Sequence, residues 1–154
     1  MEQKIIRTLN VYYYGMMVLT LLSGTLAYFL VMKDYVQPID SLSKLGQALQ
    51  YVVIFDALLT IPAGLYLCKR RCKQLSQLEK EEDRLMGYKS AAILRIVLVS
   101  NTMIWGIAAF YLMGAYQSML WVTAVSAIGW YFTKPSERKM QLELQPEDPN
   151  QEQY

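Results

Sequence analysis

Few residues in this chain could do chemistry, and each sits in an unusual setting. There is no histidine, which removes imidazole acid/base catalysis, Ser-His and Cys-His nucleophile pairs and most zinc sites. One carboxylate, Asp56, interrupts an otherwise uncharged run of 24 residues, Leu45–Cys68. A charge near the centre of a bilayer costs about 2.5–3.5 kcal/mol on insertion scales, so Asp56 should face a bundle interior and find a partner. Such a carboxylate can in principle carry a proton, and a homodimer would bring two together. Cys68 and Cys72 stand four apart on one helix face. Their spacing is not CxxC and no further ligand lies near them in sequence, so neither a metal nor a cofactor is expected. Ser23, Ser100 and Ser126 have no neighbouring base, and a serine without one is not a nucleophile. No catalytic residue is expected, and no enzyme.

The partner of Asp56 can be sought by depth. Asp56 lies 12 residues from Cys68, about 18 Å along a helix at about 1.5 Å per residue. On a helix beginning near Ala91, Asn101 reaches about 15 Å and Arg95 only about 6 Å. The Arg95 side chain also tilts back toward its helix N-terminus, so it should snorkel to the headgroups. The expected contact is Asp56–Asn101. Ser23 and Thr123 fall at the same depth, giving a mid-membrane polar layer of Ser23, Asp56, Asn101 and Thr123. Small residues recur four apart at Ser23/Ala27, Thr60/Gly64, Thr102/Gly106 and Thr123/Ala127. That spacing lets helices approach closely.

The elements that must position these residues follow from the apolar runs. The chain has 154 residues, 54% hydrophobic and 18% charged, against about 45–50% and about 25% for an ordinary soluble domain. Val11–Met32 is uncharged, as is Ile96–Thr133, whose 38 residues suit two crossings with a turn near Met113–Gln117. About 20 apolar residues span the hydrocarbon. Val11–Met32 also exceeds the about 7–15-residue core of a cleaved signal. The expected fold is all-α: four transmembrane helices in an up-down bundle, at about 11–32, 45–68, 91–112 and 118–133. These make a membrane domain over 1–133. Pro62 should kink the second helix near Leu58. Residues 69–90 should form a charged helical hairpin, since Leu75, Leu78, Leu85 and Met86 recur at helical spacings. The tail, 134–154, should be largely disordered, with at most a short interfacial turn over Arg138–Leu144.

Orientation follows from the basic residues. Lys4 and Arg7 precede the first run, Lys69, Arg70, Arg71, Lys73, Lys80, Arg84 and Lys89 follow the second, and Lys134, Arg138 and Lys139 follow the last. These twelve share one side of a four-crossing chain, against Lys33 and Lys44 on the other. Both termini and the hairpin should be cytoplasmic, in a cell membrane that the compact loops suggest is a bacterial cytoplasmic one. Lys69, Arg70, Arg71, Lys73 and Arg95 should meet anionic headgroups. A net charge of +2 is too small for a nucleic-acid binder. The expected partners are the lipid bilayer and another membrane protein or a second copy of this chain. The expected function is a non-catalytic accessory or assembly subunit. The alternative is a small proton-coupled transporter, homodimeric, using Asp56.

Overall fold

A computed structural model describes residues 2–78, 80–114 and 117–144. Among them the chain forms five α-helices and no strand: α1 (Glu2–Met32), α2 (Lys44–Leu75), α3 (Glu81–Leu112), α4 (Gln117–Phe132) and α5 (Glu137–Leu144). Three of these, α1, α2 and α3, are long and apolar enough to cross a membrane. They run 31, 32 and 32 residues, or about 46–48 Å at about 1.5 Å per residue, well beyond the hydrocarbon thickness. The fourth apolar helix, α4, has 16 residues, about 24 Å on the same rise.

The helices overrun the apolar runs at their charged ends. α1 starts at Glu2 rather than Val11 because Ile5, Ile6 and Leu9 continue its buried face. α2 passes through Pro62 and stops at Leu75. α3 starts at Glu81, whose first turn holds Glu81, Glu82 and Asp83, acidic groups that complement a helix N-terminus. The hairpin expected over 69–90 is therefore the projecting ends of α2 and α3. The tail differs more. α5 occupies Glu137–Leu144 and buries Met140 completely, where only a short turn was expected; the rest of the tail lies outside the described residues.

Turns between helices use local devices. Ser43 caps α2, its Oγ accepting the Gly46 N–H at 3.0 Å. A Cβ at Gly46 would stand 2.1 Å from the Asp40 carbonyl oxygen, so only glycine fits. Gly114 takes φ +65° where α3 ends, a left-handed conformation that glycine adopts without strain. The Ile39 N–H donates to the Leu112 carbonyl at 2.8 Å, tying the α1–α2 loop to that end of α3.

α3 is the central element. It packs against α1, α2 and α4, whereas α1 does not pack along α2 or α4. α1, α2 and α4 thus gather around α3. α1 and α4 meet through an aromatic stack, Tyr13 on Trp130, with centroids 4.1 Å apart. One apolar cluster gathers Leu9, Cys68, Cys72, Leu85, Tyr88 and Met140 at the basic end. A second, with Val53, Ala109, Met113 and Met119, lies at the opposite end.

The distribution of apolar surface is inverted relative to a water-soluble bundle. Only 17%, 22% and 39% of the most apolar stretch of α1, α2 and α3 is buried. Leu21, Leu22, Leu26 and Phe29 of α1 face outward, as do Val52, Phe55, Leu58 and Leu59 of α2 and Leu120, Trp121, Val125 and Ile128 of α4. In water such contiguous patches would drive aggregation.

Candidate functional site

The end of the molecule that carries the basic residues also carries a buried polar cluster. Here the last turns of α2, the first turns of α3 and the short α5 converge. Arg95 enters from α3, one turn past Ala91 and Ala92, and is only 4% exposed. Its guanidinium Nη1 donates to Glu143 Oε1 of α5 at 3.0 Å. The Arg95 Nε and Nη2 groups and Glu143 Oε2 are buried without a hydrogen-bond partner among the described residues. Buried polar groups are rarely left so.

Cys68 and Cys72 of α2 stand beside this pair. Both are buried, and their sulphurs are 3.9 Å apart. One ligand atom from each of Cys68, Cys72 and Glu143 lies within 4.8 Å of the other two. A cleft of about 770 Å³ opens onto the group, lined by Cys72, Arg95 and Glu143 with Lys69, Lys139 and the apolar Leu65. The Lys139 ammonium donates to the Phe132 carbonyl at the end of α4.

The cluster perturbs its titratable members. Burial, and next the nearby Glu143 carboxylate, push the Tyr88 phenol up, so it stays neutral. The Cys68 sulphur and burial push the Cys72 thiol up. Burial and the Arg95 guanidinium hold the Lys139 ammonium below the usual lysine range. The cluster therefore offers two soft sulphur ligands, a carboxylate and unsatisfied guanidinium donors.

The structure departs from the expected role of Arg95. The side chain is 4% exposed rather than free to meet headgroups; Glu143 holds it inside the protein, because α5 folds back over the end of the bundle. Lys69, Arg70, Arg71 and Lys73 are exposed around the same end of α2.

The four residues of the expected polar layer are placed separately. Asp56 is half-buried, and its Oδ1 accepts the Thr60 hydroxyl of its own helix at 2.9 Å. Its Oδ2 is buried without a partner among the described residues. Ser23 bonds the Thr20 carbonyl and Thr123 the Met119 carbonyl, each within its own helix. Asn101 is exposed. The expected Asp56–Asn101 contact does not form: equal depth fixes height, but Asn101 points away from the α3 core. It shares the outward strip of Leu94, Val97 and Trp105, each three or four residues from the next.

Small residues do sit at the helix crossings. A Cβ at Gly106 would lie 2.9 Å from Thr123 Oγ1, across α3–α4, and one at Gly64 3.6 Å from Leu98, across α2–α3. Thr102 is fully buried and Ala27 nearly so; Ala127 is half-buried. Gly24 against Ile107 and Gly129 against Ile61 are equally close approaches that the four-residue spacing did not single out.

No protein-family model matches the chain, and no curated protein or solved structure matches it either.

Proposed function

We propose that this chain is a small integral membrane protein that crosses the bilayer four times, α4 supplying the fourth crossing. Its basic end and both termini face the cytoplasm, and it works without catalysis by binding another membrane protein or a second copy of itself. The inverted apolar surface supports membrane residence. The basic residues of the α1 start, the α2–α3 hairpin and the α5 region all gather at one end, which supports the orientation.

The observation that carries the association reading is Asn101. Its carboxamide lies outward, about two thirds of the way along α3, on a strip otherwise made of Leu94, Val97 and Trp105. In hydrocarbon an unpaired carboxamide is costly, and a neighbouring transmembrane helix is its natural partner; such bonds contribute about 0.6–2 kcal/mol. The strip is open because α1 does not pack along α2 or α4. A carrier reading would need water at Asp56, whose Oδ1 accepts from Thr60 and whose Oδ2 is buried.

The test is a pull-down from native membranes in a mild detergent, comparing the natural chain with Asn101→Leu. The natural chain should retain one partner, or a second copy, near one-to-one. Asn101→Leu should be extracted at the same level and lose most of that partner, about 3–30-fold for about 0.6–2 kcal/mol. Equal recovery of the partner by both chains would refute the assignment to the α3 strip.

A further inference from the structure

We propose that Cys68, Cys72 and Glu143 form a binding site for a thiophilic divalent cation, zinc by its chemistry, which fastens α5 to the end of α2. The geometry fits the ion. Two thiolates on a tetrahedral zinc at about 2.3 Å each stand about 3.8 Å apart. The Cys68 and Cys72 sulphurs are already 3.9 Å apart, and a Glu143 carboxylate oxygen lies within 4.8 Å of both. Bringing that oxygen onto the ion asks the half-buried Glu143 side chain to move by about an ångström.

A second and independent observation points to a ligand at the same place. Glu143 spends one oxygen on Arg95 and leaves the other, Oε2, buried with no partner among the described residues. A carboxylate held on one oxygen by a guanidinium is oriented as metal-bound carboxylates commonly are, with the remaining oxygen free to ligate. Charge also closes. Two thiolates and a carboxylate carry three negative charges, the cation two positive ones, and Arg95 supplies the last. Binding converts each thiol to thiolate and releases its proton to water, two protons for each ion bound.

Three protein ligands leave a fourth position. Cys72 and Glu143 line the cleft of about 770 Å³, so that position opens to water or to a small anion steered by Lys69 and Lys139. Soft sulphur ligands disfavour magnesium and calcium, which take oxygen donors. The site joins the α2 end to a helix 71 positions further along the chain. For that reason the local spacing of Cys68 and Cys72 gave no hint of a third ligand.

The test uses the full-length chain in detergent micelles, reduced, stripped with chelator and desalted. Titration with Co²⁺ should produce a sulphur-to-cobalt charge-transfer band that saturates at one ion per chain. Zn²⁺ should abolish the band and shield both thiols from maleimide. Cys68→Ser and Cys72→Ser should lose the band, and Glu143→Gln should weaken binding about 10-fold or more. The proposal is overturned if the natural chain shows no charge-transfer band, or if the band survives replacement of both cysteines. Should the variants fail to fold, zinc protection of the natural chain decides alone: thiols that react equally fast with and without Zn²⁺ overturn the site.

Discussion

Glu143→Ala should destabilise the protein by about 3–5 kcal/mol, the cost of stranding a buried charge. Arg95 is 4% exposed and its one ion-pair partner among the described residues is Glu143. Without the carboxylate the guanidinium keeps its charge where it is only 4% exposed, and the cleft beside it is lined by two like charges, Lys69 and Lys139. The reverse substitution should be milder. The Glu143 side chain is 25% exposed, so in Arg95→Met the carboxylate can turn outward, at a cost nearer the about 1–3 kcal/mol of an unmade hydrogen bond. Arg95→Met with Glu143→Leu should recover most of the loss, because apolar replacement of a buried pair is often neutral. Unfolding in mixed micelles, followed by helix content, gives all three values. A Glu143→Ala loss below that of Arg95→Met would mean that Arg95 is not confined as described.

Gly106→Leu should be the most damaging single change within the apolar bundle, at about 3 kcal/mol, the upper end of ordinary overpacking. The reason is the α3–α4 crossing. A Cβ at Gly106 would lie 2.9 Å from Thr123 Oγ1 and 3.4 Å from both the Thr123 Cα and N. The neighbouring atoms are partly backbone, so a large side chain must push the helices apart. Gly106→Ala sets two effects against each other. Alanine gains about 1 kcal/mol of helix propensity over glycine, and the Thr123 hydroxyl, bonded to the Met119 carbonyl, must give by a few tenths of an ångström. The expected net change is close to zero. The same unfolding assay separates the two variants, and equal stability of Gly106→Leu and the natural chain would show that α4 does not pack at this crossing.

Much of the helical layout was legible in the residues. The uncharged runs located α1 to α4, since apolar length is a strong and local signal. The boundaries fell short at the charged ends because the runs were bounded by charge. Ile5, Ile6, Leu9 and Leu85 carry the buried faces onward as ordinary amphipathic helix. α5 was hard to see because eight residues with four charges have little reason to be helical alone. They gain order from burying Met140 and from the Arg95–Glu143 pair.

The site was legible only in its local half. Cys68 and Cys72 were recognisable as a pair, but Glu143 reaches them by a fold-back that no spacing reveals. Rise along the helix sets Asn101 level with Asp56 but leaves rotation about the axis open. Rotation was readable: Arg95, Val99, Thr102, Gly106 and Ala109 form one stripe of α3, all buried, and Asn101 lies about 120° round the helix from it. The central place of α3 was not readable, since the strip left open by α1 depends on how the helices pack in three dimensions.

A chain that crosses a membrane four times with its basic end in the cytoplasm exposes its loops in a fixed pattern. Single cysteines placed at Gln37, Gln77 and Ser136, in a background where Cys68 and Cys72 are replaced by Ala, test it in intact cells with a membrane-impermeant maleimide. The Gln37 position should label from outside, whereas those at Gln77 and Ser136 should label only after the membrane is opened. Labelling of Ser136→Cys from outside, with Gln77→Cys protected, would mean that α4 does not return across the bilayer, and would contradict the four-crossing account.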